Sequence, residues 1–166
     1  MKPHRRELPI GARFTSKPVP YIEAKTTVRV RFNEVDTLRI VWHGHYVNFF
    51  EEGRRAWGRQ YGLDYPVFIA HNTPAPVVAL NVDYFMPARL EDTLEVTTRA
   101  LKAGVGKLEF AYEIRREGGG PLLAVGRTLQ VFTNLAGELL LAWPPFMIER
   151  LKAWEPLWQD PDPATP

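Results

Sequence analysis

The chain has 166 residues, about one domain's worth, and its 45% apolar content is ordinary for a globular protein. It holds no cysteine and a single serine, Ser16, in no G-x-S-x-G context, which excludes disulfides, thiolate metal centres, a cysteine nucleophile and a serine-triad hydrolase. The formal charge is +2, split into +6 over residues 1–31 and −4 over the rest, so the body lacks the dense basic face that nucleic-acid binding needs.

Residues 1–24 carry Pro3, Pro9, Pro18 and Pro20 and read as a basic, proline-rich extension; residues 155–166 read as a proline-rich tail. No run of 18 apolar residues occurs, and the first residues lack the apolar core of a secretory signal, so no membrane contact and a cytoplasmic location are expected. One folded domain is expected between residues 25 and 154. It opens with a strand over 25–33, where Val28, Val30 and Phe32 alternate with Thr27, Arg29 and Arg31.

The alternation then stops. From Gly44 to Tyr61 the residues Tyr46, Phe49, Phe50, Gly53, Ala56, Trp57 and Tyr61 recur at helical spacing, which predicts an amphipathic helix with an aromatic core-facing stripe. After Gly62 the pattern turns to strands over 76–86, 92–103, 106–117 and 121–133, separated by Gly- and Pro-rich turns. A short strand near 139–142 and a helix over 145–154 finish the body. One long helix followed by strands joined through short turns predicts an α+β antiparallel meander wrapped on that helix. Such a sheet leaves an open edge, so an even-numbered homo-oligomer, dimer or tetramer, is expected.

The chemistry-bearing residues concentrate between the first strand and the helix, where Glu34, Asp36, Arg39, His43 and His45 fall within a dozen positions. A helix start offers unpaired amides and a positive dipole end that favour a developing oxyanion, and a carboxylate in the preceding loop can lie close to the same point. That arrangement suits acyl transfer: a thioester oxygen at the amides near His43 and Gly44, with Asp36 attacking the carbonyl or deprotonating water. Asp before a helix also serves as a cap or turn residue. His43 and His45 point in different directions on a helix and lack a matching ligand set, so no metal is expected.

Phe32, Glu34, Asp36, Ile40, Val41, Trp42 and Tyr46, followed by Glu51, Arg54 and the block Asp83-Tyr84-Phe85-Met86-Pro87-Ala88-Arg89, resemble the signature of hot-dog-fold acyl-CoA thioesterases of the 4-hydroxybenzoyl-CoA thioesterase type. The resemblance covers about residues 27–150. It implies a hot-dog fold, one long helix wrapped by five or six antiparallel strands, and hydrolysis of an acyl-CoA without cofactor or metal. It further implies Asp36 as nucleophile or general base, helix-start amides as the oxyanion hole, and sites built by two subunits. His43 matches a histidine of one acyl-CoA branch, and Glu51 is the reserve carboxylate, since another branch uses one on the helix. Arg39 stands where the family has glycine; an acidic acyl group, Glu34, or lost activity would each account for it. Trp42 and Tyr46 are candidate acyl contacts, and Arg89, Lys102, Lys107 and Arg127 are candidate contacts to the phosphates of coenzyme A. A non-catalytic acyl-thioester or acyl-carrier-protein binder and a hot-dog hydratase or dehydratase are the alternatives.

Overall fold

A computed structural model of the chain describes residues 14–161. Lys2, Arg5, Arg6 and Arg13 of the basic extension lie outside the described residues. Five strands, β1 (Tyr21–Arg29), β2 (Val77–Tyr84), β3 (Thr93–Leu101), β4 (Lys107–Arg116) and β5 (Leu122–Val131), form one antiparallel sheet in the order β1-β3-β4-β5-β2. Three helices accompany it: α1 (His45–Tyr61), α2 (Tyr65–Ala70) and α3 (Pro145–Trp154). The result is the expected α+β sheet wrapped on one long helix.

The aromatic stripe of α1 forms the core. Tyr46, Phe49, Phe50 and Trp57 are buried, and Phe50 stacks on Tyr112 of β4 with ring centroids 4.6 Å apart. Trp57 meets Phe110 edge-on and donates its indole N–H to the Ile22 carbonyl at 2.9 Å. Each such ring contributes on the order of 2–3 kcal/mol by leaving water. Two glycines let the layers meet: a Cβ on Gly53 of α1 would come within 2.7 Å of Val96 on β3, and a Cβ on Gly126 of β5 would overlap the Phe50 ring. Helix α1 ends at Gly62, whose φ of 74° is the left-handed conformation that closes a helix and that glycine adopts without strain.

Helix α1 runs antiparallel to β1. At its start the Ala88 amide donates to the Tyr46 hydroxyl at 2.9 Å, and at its end the Tyr61 hydroxyl donates to the Glu23 carbonyl at 2.6 Å. Burial raises the Tyr46 phenol above its ordinary pKa, so this buried tether stays neutral.

The strand order departs from a simple meander. Strands β3, β4 and β5 do form one, but β1 and β2 occupy opposite edges because α1 and α2 carry the chain from one edge to the other. Helix α2 falls where strands alone were expected. Its signals are local: Asp64 caps it by accepting the Tyr65 amide at 2.9 Å, and Pro66 occupies its first turn.

The first strand spans Tyr21–Arg29 rather than 25–33, burying Ile22 and Ala24. Beyond it the Glu34 carboxylate accepts the Arg31 amide at 2.7 Å and closes a single 3-10 turn, Phe32–Glu34, which leaves Phe32 81% exposed instead of on the buried face. Residues 21–24, read as part of the extension, therefore belong to the sheet. Gln159 of the tail exchanges backbone hydrogen bonds of 2.9 and 3.2 Å with Tyr21. The strand expected near 139–142 is reduced to an isolated bridge between Thr133 and Leu139. The other four strands and α3 fall where the periodicity puts them.

Replacing Gly126 by Val forces a side chain into the Phe50 ring, so Gly126→Val should destabilise the fold by about 1–3 kcal/mol, read as a lower denaturant midpoint. Adding Phe50→Leu to the same chain should recover part of that loss, and equal midpoints for the single and double variants would contradict the packing.

Candidate active site

The segment between β1 and α1 folds as a small hairpin stitched to the helix start. Val35 and Val41 bridge, the Asp36 amide donates to the Ile40 carbonyl at 2.9 Å, and the Trp42 amide donates to the Glu34 carbonyl at 2.9 Å. The turn closes through the Arg39 amide, which donates to the Asp36 carbonyl at 2.9 Å. The second arm also lies along the β2–β3 connection, since Ile40 bridges to Arg89 and the Val41 amide donates to the Ala88 carbonyl at 2.9 Å. The hairpin, the first turn of α1 and the end of β2 thus share one end of the sheet.

Asp36 is half-buried. Its Oδ1 accepts the Leu38 amide at 2.8 Å, the local bond by which Asp holds a turn, and Oδ2 receives no hydrogen bond from the described residues. No cation pairs with it among the described residues, so one carboxylate oxygen is anchored and the other is open.

Arg39 has φ 58°, the left-handed conformation in which glycine is ordinary and other residues carry a strain of about 1–2 kcal/mol. The family's glycine therefore answers a backbone requirement that Arg39 meets. Arg39 is exposed and makes no ion pair with Glu34, whose carboxylate is occupied by the Arg31 amide.

At the helix start, the His45 amide donates to the Trp42 carbonyl at 2.9 Å and the Val47 amide to the Gly44 carbonyl at 3.3 Å. The amides of His43, Gly44 and Tyr46 find no acceptor among the described residues. A side chain on Gly44 would overlap the Trp42 ring, so glycine at this point lets the indole fold over the turn. That ring is about half exposed and lies 4.7 Å from the His43 ring and 5.5 Å from that of His45. His43 is exposed, and Asn48 and His45 Nδ1 lie within hydrogen-bond distance at 3.1 Å. Tyr46 is buried, its hydroxyl committed to the Ala88 amide. No three His, Asp or Glu side chains among the described residues are grouped to hold a metal ion.

A cleft of about 490 Å³ runs beside this turn, lined by Arg31, Glu34, His45, Asn48, Glu51 and Glu52 among others; Asp36 is not among its lining residues. Glu51 pairs with Arg54, and its Oε1 is buried without a hydrogen-bond partner. Two residues to which the sequence assigned no role stand out: Asn48, beside His45, and Tyr84 of the Asp83–Arg89 block, whose hydroxyl donates to the His43 carbonyl at 2.8 Å.

The cations separate into two groups. Arg89 is exposed at the Asp36 end, with no side-chain ion pair among the described residues. Lys102 and Lys107 lie at the opposite end of strands roughly 30 Å long; Lys102 pairs with Glu155 at 3.0 Å and faces the Trp158 ring. Arg127 pairs with the fully buried Glu109, donates to the Thr15 carbonyl at 2.8 Å and covers the Phe14 ring. Of the four, only Arg89 is placed to reach a ligand at Asp36 of the same subunit.

A family model described as the thioesterase-like superfamily matches residues 30–151. The long-chain acyl-CoA thioesterase FadM of Escherichia coli K12 is 33% identical over 77% of this chain and 96% of its own length. The acyl-CoA thioester hydrolase YbgC of Escherichia coli O6:H1 is 31% identical over 52% of this chain, a stretch that spans 65% of YbgC. Among solved structures, the hypothetical protein TT1821 from Thermus thermophilus superposes with a TM-score of 0.69 at 31% identity, covering 78% of this chain and 97% of that one. With the signature hairpin, the helix-wrapping sheet and a family match over most of its length, the chain belongs to the thioesterase-like superfamily and has the hot-dog fold.

Proposed function

We propose that this protein hydrolyses acyl-CoA thioesters to the free acid and coenzyme A. The observation that carries this reading is the hairpin that holds Asp36, open at one carboxylate oxygen, on the same end of the sheet as the unpaired Gly44 and Tyr46 amides. The thioesterase names of the two curated relatives support it. In the reaction the thioester oxygen takes the helix-start amides while negative charge builds on it. Asp36 then works in one of two ways. As a nucleophile it forms a mixed anhydride and expels the thiolate, and water cleaves the anhydride; as a general base it takes a proton from water, whose oxygen attacks the carbonyl carbon directly. Both routes consume one water, release acid and thiol, and call on no cofactor.

The site as proposed is completed by a second copy of the chain. Strand β2 is at the sheet edge, and Val77, Leu80, Tyr84, Phe85 and Met86 on and just after it are large, apolar and 44–57% exposed. Pairing two such edges covers them and brings another subunit against the end of the sheet that carries Asp36. Arg89 is the cation of this chain placed to meet a coenzyme A phosphate there. The reading sets the protein in the cytoplasm, where acyl-CoA is made and used; among the described residues no helix is long and apolar enough to cross a membrane.

Asp36→Asn keeps an oxygen for the Leu38 amide and so preserves the turn. It should lower turnover of a panel of short, aromatic and long acyl-CoAs by about 10²–10⁴-fold, measured by thiol release, with an unchanged melting temperature. Wild-type protein that releases no thiol from any of them would end the hydrolase reading. Arg39→Gly removes the left-handed strain and should raise stability by up to about 1 kcal/mol after glycine's own entropy cost, seen as a higher denaturant midpoint. Arg39→Ala, strained like the wild type, should leave the midpoint in place.

A further inference from the structure

The hydrogen bond from Tyr84 to the loop before α1 has a partner in chemistry as well as in space. The carbonyl that Tyr84 binds, that of His43, belongs to the same planar peptide group as the Gly44 N–H. In a trans peptide the two groups point in opposite directions, so a donor on the carbonyl side leaves the amide side open. The Gly44 N–H is one of the amides at the helix start without an acceptor among the described residues. On its other flank the Trp42 ring closes over the Gly44 Cα, where a side chain would not fit. The peptide is therefore held from two sides and free on the third.

We propose that Tyr84 is a positioning residue for thioester hydrolysis: its hydroxyl orients and polarises the His43–Gly44 peptide so that the Gly44 N–H donates more strongly to the thioester oxygen. The inference rests on the hydrolase reading above and adds a residue from another part of the chain to it. A hydrogen bond accepted by a carbonyl strengthens the donor at the other end of the same amide, which is the cooperativity expected of chained hydrogen bonds. Partial burial raises the Tyr84 phenol above its ordinary pKa, so the hydroxyl keeps its proton and remains a donor across the neutral range. The ring itself is fixed by an edge-on contact with Tyr46, centroids 5.2 Å apart, so the hydroxyl reaches the carbonyl from a braced side chain.

A purely architectural role for such a bond has its own example in the same molecule. Tyr61 donates to the Glu23 carbonyl at the far end of α1, away from the Asp36 hairpin. Comparing the two tyrosines separates positioning from tethering.

Tyr84→Phe keeps the ring and removes only the donor. It should lower kcat about tenfold with KM within about twofold on the best substrate of the acyl-CoA panel, because the strengthened donor matters most when charge sits on the thioester oxygen. In the ligand-free protein labelled with 15N, the Gly44 amide nitrogen should move upfield in Tyr84→Phe, since the peptide loses its polarising partner. Tyr61→Phe should leave both kcat and the Gly44 resonance in place while shifting that of Ala24. An active wild type with unchanged kcat in Tyr84→Phe, or a Gly44 nitrogen that does not move, would overturn the positioning role and leave the hydrolase reading standing. A parallel loss in Tyr61→Phe would also overturn it, by showing that any tether on α1 has the same effect. A wild type inactive on the whole panel would remove the hydrolase reading, and the positioning role with it.

Discussion

The close approach of α1 to the sheet is the constraint on which the rest of this molecule depends. Gly53 brings the helix backbone against β3, and Gly126 opens the space in β5 that the Phe50 ring fills. With those two positions small, Phe50 stacks on Tyr112 and the buried Trp57 meets Phe110 edge-on, which fixes the helix axis relative to the strands. Polar tethers then set its two ends, through Tyr46 at the start and through Trp57 and Tyr61 near the finish. A helix held this firmly can present its first turn at a defined place, which is what an oxyanion-binding amide requires.

The site is assembled from three stretches distant in sequence: the hairpin of residues 34–42, the first turn of α1 and the end of β2. What unites them is backbone hydrogen bonding rather than side-chain charge. Glu34 spends its carboxylate on closing a turn, Arg39 serves the turn through its backbone, and Tyr46 serves the core. Asp36 is left with an open oxygen because one short bond to the Leu38 amide is enough to hold it. Charge is concentrated elsewhere. The opposite sheet face carries Arg99 between Glu23 and Glu113, and Arg127 on the buried Glu109, pairs that hold strands together and lie outside the chemistry proposed here.

Much of this was legible in the chain because periodicity reports burial. The aromatic spacing of α1, the alternation in β4 and the Gly-rich turns each have one physical reading, and they delimit elements to within a residue or two. The strand order was not legible, since alternation says which face is buried and nothing about which neighbour pairs. Helix α2 was missed although Asp64 and Pro66 mark its start, because six residues are too few to show a helical period. Phe32 misled for a related reason: it continues the alternation of Val28 and Val30, but the Glu34 carboxylate ends the strand first. Within the site, Asp36 could be found from its motif, whereas the block that contains Tyr84 says nothing of its contact, a hydrogen bond to a carbonyl 41 residues away.

Arg39 shows what a family signature encodes. The letter at that position differs from the family's, yet the dihedral angle is the one glycine would take. A search pattern written in residue letters, insisting on glycine there, discards this chain; one written in backbone angles keeps it. For hairpins of this kind the inherited quantity is a shape, and a long cation can be carried at the tip of that shape for the cost of a modest conformational strain.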